Sequence, residues 1–490
     1  MNQAAQTITD KGEPRIWGAF INGEFTGAAS GKTFPTFDPG NGEVLAFLAE
    51  CDEEDVDAAV RAGLAAFPEW RRKTGAARGK LLMKLAQLVS ENAAKLAELE
   101  SLNAGKPIRD SKAIDAVTAV DALEYFAGMA TKIQGDTIPV PGPYINMTLR
   151  EPLGVIGGII PWNFPLLQAI WKIAPAIAAG NTVVIKPAEQ ACLSVIYLGE
   201  LIQQAGFPAG VVNIVTGYGA TAGLALVQHH MVAKIMFTGS TETGKRIAAE
   251  AAQTLKPVGL ELGGKSAVIV YEDAPIGHAA SVAANAIFSN QGQVCTAGSR
   301  LFVHENIHDQ VLQKIVERAG KVKLGYQMDP ETTMGPLISR KQKDRVESYI
   351  EYGKANAKLV YSHSLPDGLE DGFFVGPHIF DEVENSMQVA REEIFGPVLS
   401  VLTFSDESEV LALANDNPYG LAASVITRDI GRAMRAAQAF EAGNVWVNTW
   451  GAVSSMAPYG GYKNSGYGRE MGFAVMREVT QEKNVWVSVR

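Results

Sequence analysis

The feature that most restricts the fold of this chain is a regular alternation of apolar and amphipathic segments between residues 154 and 255. Apolar runs typical of buried strands alternate there with helical patterns, and the strand candidates are GVIGGIIP, NTVVIKP, VVNIVTG and KIMFTG. Strands that alternate with helices predict a parallel, doubly wound sheet that binds ligands at the carboxyl ends of its strands. The alternation resumes after Gly263, through KSAVIVYE and RLFVHE. The sequence therefore predicts the α/β class, with two such units.

Length and charge restrict the class of protein further. A chain of 490 residues is too long for one hydrophobic core, so two or more domains are expected. A net charge of −10, with the acidic residues scattered along the chain, argues against a nucleic-acid partner. The segment MNQAAQTITDKGEPR lacks the apolar stretch of a secretory signal, and no apolar run is long enough to cross a membrane. We therefore expect neither a leader nor a membrane partner.

The three cysteines and seven histidines follow no disulfide or metal-binding pattern. An odd and sparse number of cysteines favours a reducing compartment, so we expect a cytoplasmic location. Because neither an HExxH nor a CxxC spacing occurs, the sequence predicts no metal site.

The two ends of the chain differ from its alternating centre. Residues 17–50 suggest short strands and turns, and residues 52–131 show the apolar spacing of helices. The tail EKNVWVSVR alternates valine with other residues, which predicts a terminal strand. Such a strand needs a partner, and we expect the extended segment 140–150 of a neighbouring subunit to supply it.

One cysteine stands in a segment suited to chemistry. Cys295 lies within FSNQGQVCTAGSR, among polar and small residues, after a helical pattern and before an apolar strand. Backbone N–H groups on a loop or at a helix start can stabilise a thiolate, which makes this cysteine a candidate nucleophile. The alternative is a small buried hydrophobe, as most free cysteines are.

Two strand ends carry polar residues suited to acyl chemistry. Asn163, in IPWNFP, offers an amide donor that could face a developing oxyanion. Glu261, in LELGGK, follows an apolar run beside two glycines, where burial would raise its pKa and suit a general base. An acid that caps a turn is the alternative for Glu261.

Two further strand ends carry residues that could bind a phosphate and a ribose. Gly239 and Ser240, in MFTGSTETG, follow a strand and open a helix, so backbone N–H groups there can approach a phosphate. The segment is not GxGxxG, and a tight turn between strand and helix is the alternative. Lys186 and Glu189, in KPAE, could bind ribose hydroxyls, and an ordinary loop is the alternative.

Taken together, these segments resemble the NAD(P)-dependent aldehyde dehydrogenase superfamily over essentially the whole chain. The motifs occur in the family's order and roughly its spacing: PWNFP, GNTVVIKPAE, FTGST, LELGGK, GQVCTAGSR, EEIFGPV, WVN and GYKNSGYGRE. The resemblance implies an aldehyde dehydrogenase-like fold, with two doubly wound α/β domains and a small β oligomerisation arm. The implied domains are a dinucleotide-binding domain at 1–130 and 152–262, a catalytic domain at 263–465, and an arm at 131–151 and 477–490. The arm would assemble a homodimer or homotetramer.

The resemblance also implies roles for individual residues. Cys295 would be the nucleophile, Glu261 the base that activates the deacylating water, and Asn163 an oxyanion donor with the backbone N–H of Cys295. Lys172 and Glu470 match positions that some members use as a proton relay. The positions where the family binds the dinucleotide are Ile160, Pro161, Trp162, Lys186, Glu189, Gly219, Phe237, Gly239, Ser240, Thr243, Leu262, Gln342, Glu393 and Phe395. In the family, the adenosine ribose lies at Lys186 and Glu189, and the nicotinamide ribose at Glu393 and Phe395.

The function implied is NAD-dependent oxidation of an aldehyde to a carboxylic acid, through a thiohemiacetal and a thioester on Cys295. Members that pass the acyl group to coenzyme A lack a carboxylate at the position of Glu261, so this residue favours the hydrolytic branch. The carboxylate of Glu189 would repel a 2′-phosphate, and we therefore expect NAD to be preferred over NADP. An esterase and a non-catalytic structural protein on the same fold are the alternatives.

The expected substrate depends on the residues at the positions of the family's substrate tunnel. The matching positions are Phe164, Leu167, Trp171, Val294, Trp450, Val453 and Tyr459, with Phe288 and Met456 as further candidates. Betaine- and aminoaldehyde-oxidising relatives bind a cation in an aromatic box there. In this chain, Ser289 stands where such boxes often place another aromatic residue, and Thr118 where aminoaldehyde specialists tend to carry an acid. The sequence predicts an uncharged aromatic or medium-chain aliphatic aldehyde, with betaine aldehyde or an ω-aminoaldehyde as the alternative.

Overall fold

The computed structural model describes residues 9–10 and 13–490. Residues 1–8 and 11–12, which belong to the segment examined for a leader and to the predicted dinucleotide-binding domain, lie outside the described residues. The strands are β1 Thr9–Asp10, β2 Glu13–Pro14, β3 Ile16–Trp17, β4 Ala19–Ile21, β5 Glu24–Thr26, β6 Thr33–Phe37, β7 Val44–Ala49, β8 Thr137–Ile138, β9 Tyr144–Pro152, β10 Val155–Ile159, β11 Thr182–Lys186, β12 Val212–Ile214, β13 Val232–Thr238, β14 Val258–Glu261, β15 Ala267–Val270, β16 Arg300–His304, β17 Lys358–Ser362, β18 His378–Asp381, β19 Val398–Phe404, β20 Tyr419–Gly420, β21 Ala422–Ile426, β22 Asn444–Val447, β23 Tyr462–Lys463, β24 Gly466–Tyr467 and β25 Thr480–Ser488. The helices are α1 Glu53–Arg72, α2 Gly75–Glu91, α3 Ala93–Ala104, α4 Ile108–Met129, α5 Pro165–Ala179, α6 Leu193–Ala205, α7 Leu224–Gln228, α8 Thr241–Ala252, α9 Ile276–Phe288, α10 His308–Ala319, α11 Arg340–Asn356, α12 Gln388–Arg391, α13 Glu407–Asn415, α14 Ile430–Ala439 and α15 Ala474–Glu478.

The alternating segment forms the centre of an eight-stranded sheet. Its strand order is β24-β14-β13-β10-β11-β12-β4-β5, and the strands from β14 to β12 are parallel. Strands β10 and β11 are buried at every residue, which explains the continuous apolar runs in the sequence. The chain moves from β10 to β12 in one direction and then crosses back to β13 on the other side of β10. Doubly wound sheets bind ligands at such a switch point.

A second, seven-stranded sheet contains the strands predicted after Gly263. Its order is β17-β18-β19-β16-β15-β21-β22, and every pairing is parallel except that of β17 with β18. The loop that carries Cys295 connects α9 to β16. The predicted α/β class is confirmed, because both sheets consist mainly of parallel strands that alternate with helices along the chain.

The C-terminal strand forms a three-stranded sheet with the segment predicted to pair with it. β25 lies antiparallel to β9, with Thr480 opposite Pro152, and β8 lies on the other side of β9. The expectation that a neighbouring subunit supplies the partner is wrong for this structure, because the pairing occurs within one chain. Asn181 explains it: its Oδ1 accepts from Leu153 N–H at 2.7 Å and its Nδ2 donates to Val479 O at 2.8 Å. One side chain therefore anchors the end of β9 and the start of β25.

The boundaries of the three predicted domains stay a prediction, as does the cytoplasmic location. The eight-stranded sheet takes its strands from residues 19–26, 155–261 and 466–467, and the seven-stranded sheet from residues 267–447. Among the helices of residues 13–490, none combines the length and the apolar character that a membrane crossing requires.

Candidate active site

The Cys295 loop is held in an unusual backbone conformation by long-range hydrogen bonds. Asn290 and Gln291 have φ of 47° and 56°, in the left-handed region that non-glycine residues rarely adopt. The Asn290 amide donates to Asn163 O at 3.3 Å, and the Gln291 amide donates to Gly105 O at 2.7 Å. Such strain costs about 1–3 kcal/mol per residue and persists where the surrounding structure enforces it. The fold therefore fixes the backbone that presents Cys295.

Two glycines let this loop approach the end of β14. A Cβ added to Gly264 would lie 2.6 Å from the carbonyl oxygen of Cys295, closer than any real side chain allows. A Cβ added to Gly263 would overlap the carboxylate of Glu393. The two glycines that follow Glu261 in LELGGK are thus required by close packing, and they bring Cys295 and Glu261 into one site.

The Cys295 thiol lies in surroundings that disfavour its charge. Burial raises its pKa to about 12, and the carboxylates of Glu261 and Glu393 act in the same direction. Two hydrogen bonds lower the thiol pKa. One involves the Tyr459 hydroxyl, which lies 3.3 Å from Sγ, and the other involves the backbone of Thr296. A nucleophilic thiolate at this position therefore depends on hydrogen-bond donors.

Glu261 is the last residue of β14, and its carboxylate is buried and unpartnered. The residue is 5% exposed, and neither carboxylate oxygen has a hydrogen-bond partner among the described residues. Burial raises its pKa well above the ordinary value, and the charge of Glu470 adds to the effect, whereas Lys172 and Arg469 lower it. Burial of this acid and the raised pKa agree with what its sequence context predicts.

The two residues implied as a proton relay lie together beside Glu261. Lys172, on α5, donates to Glu470 Oε1 at 2.6 Å, and it also donates to Thr238 Oγ1 at 2.8 Å and Gln168 Oε1 at 3.1 Å. Both members of the ion pair are buried. The charges of Lys172 and Glu470 act on the pKa of Glu261 in opposite directions, so the three groups form one electrostatic unit.

Asn163 reaches the Cys295 loop from the start of α5. Its Nδ2 donates to Gln293 O at 2.9 Å, two residues before the cysteine. An amide group carries two N–H donors, so the second one is available to another acceptor. The position suits an oxyanion donor beside Cys295.

A buried ion cluster under the start of α5 has no counterpart in the sequence-based predictions. Lys106 donates to Asp115 Oδ1 at 2.6 Å, and its ammonium group lies 3.9 Å from the ring centroid of Phe164. Glu100 Oε1 accepts from Leu166 N–H at 3.0 Å, which places a carboxylate at the amino end of α5. Glu100, Lys106 and Asp115 are each 1% exposed. The cluster therefore supports the turn that carries Asn163 and Phe164.

Three of the aromatic residues predicted to line the tunnel, Trp171, Tyr459 and Trp450, each pack on another aromatic ring. Trp171 packs edge to face on Tyr459, with ring centroids 5.4 Å apart, and Tyr459 contacts the thiol. Trp450 packs on Trp446, with centroids 4.9 Å apart. The other predicted positions differ in exposure: Leu167 and Phe288 are buried, Val294 is half-buried, and Val453 and Met456 are exposed.

Residues implied in adenosine binding lie at the carboxyl ends of neighbouring parallel strands. Lys186 ends β11 and forms an ion pair with Glu189 at 3.2 Å, and its carbonyl accepts from Ile160 N–H after β10. Ser240 caps α8 by accepting from Thr243 N–H at 3.3 Å. The other residues of this group lie near the same strand ends. Pro161 follows Ile160, and the Phe237 ring fills the space that a Cβ of Gly239 would occupy. Leu262 packs on Gly244, and Gly219 begins the π-helical segment Gly219–Gly223.

Residues implied at the nicotinamide end lie close to the Cys295 loop. Glu393 Oε1 accepts from Gly264 N–H at 3.0 Å, and burial raises the Glu393 pKa to about 7. Gln342 donates to the Phe395 carbonyl at 2.8 Å, and Trp162 packs edge to face on the Phe395 ring at 5.2 Å.

This arrangement fits a dinucleotide. The amino end of α8 starts with exposed residues and offers N–H groups suited to a phosphate, and the partly exposed carboxylate of Glu189 suits a ribose. Both follow the carboxyl ends of strands beside the switch point, Glu189 after β11 and α8 after β13. The geometry therefore supports a nucleotide at this edge of the sheet.

Comparison with known proteins agrees with this geometry. The family described as "Aldehyde dehydrogenase family" matches residues 25–485. Retinal dehydrogenase 2 of Mus musculus is 48% identical, over 96% of this chain and 91% of its own length. Hydroxyisobutyraldehyde dehydrogenase of Mycolicibacterium austroafricanum is 47% identical, over 96% of this chain and 93% of its own. The NAD+ complex of an aldehyde dehydrogenase from Bacillus cereus is 45% identical and superposes with a TM-score of 0.97, over 100% of this chain and 99% of that one.

Proposed function

This chain belongs to the aldehyde dehydrogenase family, whose activity is NAD-dependent, and we propose that it oxidises aldehydes through a covalent bond to Cys295. The observation that carries the proposal is the unpartnered, buried carboxylate of Glu261 in the same site as the Cys295 thiol. Burying a carboxylate without a hydrogen-bond partner costs free energy of folding. A role as a general base explains why this chain has such a carboxylate beside the thiol.

The first half of the reaction forms an acyl-enzyme. The Cys295 thiolate attacks the carbonyl carbon of the aldehyde and forms a tetrahedral alkoxide. The free N–H of Asn163 and the backbone N–H of Cys295 donate to that oxygen and stabilise its charge. NAD supplies the hydride acceptor when bound. Loss of the hydride from the former carbonyl carbon leaves a thioester on Cys295.

The second half hydrolyses the thioester. Glu261 removes a proton from water, the water oxygen bonds to the thioester carbon, and the carboxylic acid leaves as the sulfur departs. The raised pKa of Glu261 makes its carboxylate a stronger base than an exposed one. Lys172 and Glu470 would carry the proton away from Glu261, because they form one electrostatic unit with it.

Glu189 and Lys186 would bind the adenosine ribose, and Ser240 and the amino end of α8 a phosphate. Glu393 and Phe395 would position the nicotinamide ribose close to Cys295. These assignments follow the family's pattern and the strand ends on which the residues lie.

For the substrate we propose an uncharged aromatic or medium-chain aliphatic aldehyde. One face of Phe164 already carries the ammonium group of Lys106, at 3.9 Å, so a substrate cation has at most the other face of that ring. Trp171, which is 4% exposed, and Trp450 are packed against other aromatic rings, so they offer apolar surface to a substrate and no free aromatic box for a cation. Burial of apolar substrate area there contributes about 25 cal/mol per Å². Relatives of nearly equal identity act on retinal and on hydroxyisobutyraldehyde, so relatedness alone does not choose between substrates.

A substrate panel tests both parts of the proposal. We expect NAD reduction with benzaldehyde and hexanal, and at least ~10-fold lower kcat/KM with 4-aminobutanal and betaine aldehyde. A clear preference for either cationic aldehyde would contradict the substrate class and favour the alternative. Hydrolysis of 4-nitrophenyl acetate without NAD reduction by any aldehyde would instead indicate an esterase, and no activity in either assay a structural protein.

A further inference from the structure

The Cys295 sulfur lies within hydrogen-bond distance of a tyrosine whose hydroxyl has no role in the mechanism above. Tyr459 OH lies 3.3 Å from Cys295 Sγ, within hydrogen-bond distance for sulfur. Its ring packs edge to face on Trp171, and the residue is 8% exposed. Packing alone requires only the ring, so the hydroxyl needs a separate explanation.

The surroundings of the hydroxyl define the direction of the hydrogen bond. Burial raises the pKa of Tyr459 well above its ordinary value, and the nearby Cys295 acts in the same direction, so the phenol keeps its proton. The side chain of Thr296 lowers that pKa, as a hydroxyl that donates to the Tyr459 oxygen does. A tyrosine that accepts from Thr296 has its own O–H free to donate to the sulfur.

The thiol needs such a donor. The charged side chains that act on it most strongly are the carboxylates of Glu261 and Glu393, and both oppose a thiolate, as does burial. The hydroxyl of Tyr459 and the backbone of Thr296 are the groups that lower the thiol pKa and so favour the thiolate. No positive charge from the described residues is among the largest influences on this thiol.

We propose that the Tyr459 hydroxyl is a catalytic group of this enzyme, which donates a hydrogen bond to the Cys295 thiolate and increases the population of the nucleophile. The donor chain runs from the Thr296 hydroxyl to the Tyr459 oxygen and from the Tyr459 hydroxyl to Sγ. The inference rests on the role proposed for Cys295 as the nucleophile. It extends that role by naming the side chain that makes a thiolate possible between two carboxylates.

The substitution Tyr459→Phe isolates the hydroxyl, because phenylalanine keeps the ring that packs on Trp171. The measurement is the rate at which iodoacetamide alkylates Cys295 as a function of pH, read by mass spectrometry of the Cys295 peptide. Only the thiolate reacts, so the rate reports its population. A hydrogen bond to a charged group predicts a rate lower by about 10- to 100-fold near neutral pH, and a titration midpoint shifted to higher pH.

Tyr462→Phe is the matched control, since Tyr462 is 47% exposed and lies three residues from Tyr459 on the same segment. We expect it to leave the alkylation profile unchanged. Cys51 and Cys192 are internal controls, because both are buried free thiols whose alkylation the hydroxyl of Tyr459 does not influence. Identical alkylation profiles for the parent protein and Tyr459→Phe overturn the proposal.

A second variant keeps the proposal testable if Tyr459→Phe lowers the melting temperature. Thr296→Val removes the hydroxyl that bonds to the Tyr459 oxygen and leaves both the ring and the backbone N–H in place. We expect a slower alkylation of Cys295, by a few-fold, and an unchanged profile contradicts the donor chain. Alkylation does not require turnover, so these results are independent of the dehydrogenase mechanism. Full dehydrogenase activity in Cys295→Ala would instead overturn the proposed function.

Discussion

At the scale of single residues, Glu189 determines the expected choice between the two dinucleotides. Its carboxylate is paired with Lys186 at 3.2 Å and is 31% exposed, so it is available to accept from ribose hydroxyls. A 2′-phosphate at the same place would meet a like charge, and we expect kcat/KM to be about 10- to 100-fold higher with NAD than with NADP. Glu189→Gln should reduce that ratio by a similar factor. Glu200→Gln, which neutralises an acid on the outer part of α6, is the control and should leave the ratio unchanged. Equal kcat/KM with NAD and NADP in the parent protein would show that the Glu189 carboxylate does not discriminate between them.

Sequence patterns predict some of these residues well and others not at all. Glu261 ends a short apolar strand, and its burial and raised pKa follow from that position. Glu100 also lies in an apolar stripe, with Leu96 and Leu99 on the same face of α3, which is a signal of a buried acid. Its partners, and the contact of Tyr459 with Cys295 across 164 residues, depend on tertiary packing that no local pattern encodes.

At the scale of elements, the start of α5 depends on the buried ion cluster beneath it. Lys106 is the only cation paired with Asp115 among the described residues, and it lowers the pKa of both Asp115 and Glu100. Lys106→Met leaves two buried carboxylates without that charge, and we expect the free energy of unfolding to fall by about 3–5 kcal/mol. Chemical denaturation measures this loss. Lys323→Met, which breaks an exposed ion pair with Glu331, is the control and should cost less than about 1 kcal/mol.

The pH dependence of the Lys106→Met variant follows from the same charges. Burial raises the Glu100 pKa to about 7, above its unfolded value, so its contribution to stability is complete at low pH and is lost as pH rises through 7. Without Lys106 the pKa values of Glu100 and Asp115 rise further, and the variant's deficit should therefore grow with pH. A deficit that is constant between pH 5 and 8 would contradict this account of the cluster.

The elements themselves were predictable where the apolar pattern is continuous. The strands β10, β11, β12 and β13 and the helices α5, α6 and α8 lie where the alternation predicts them. The alternation predicts a helix over TAGLALVQH, residues 221–229, but the segment begins in the π-helix Gly219–Gly223, because a stretch of glycine and alanine carries little periodic signal. The sequence did not predict that β25 pairs within its own chain, because the pattern of a terminal strand does not indicate whether its partner segment belongs to the same chain or to a neighbouring subunit.

At the scale of the whole molecule, the three-stranded arm presents apolar side chains to the outside. Ile145, Leu149 and Val487 are each more than 40% exposed, and the pairing of Val487 with Ile145 puts all three on one face of the arm. An exposed apolar sheet face suits a contact with a second copy of the chain. We expect a homodimer or homotetramer, and deletion of residues 481–490 should yield a smaller species in analytical ultracentrifugation. Leu255→Asp, which changes a 92% exposed leucine outside the arm, should keep the native mass. A deletion variant of native mass would contradict the role of the arm.

The central claim is that Cys295 forms the acyl-enzyme and Glu261 hydrolyses it. In rapid mixing of Glu261→Gln with NAD and an aldehyde that the parent oxidises, the account predicts a burst of reduced cofactor close to one per site. The steady rate should fall by about 100- to 10,000-fold, because only the second half lacks its base. Intact-mass analysis should then find the acyl group on Cys295, and Cys295→Ala should show neither burst nor adduct. An equal loss of burst and steady rate in Glu261→Gln, with no acyl adduct, would contradict this division of roles.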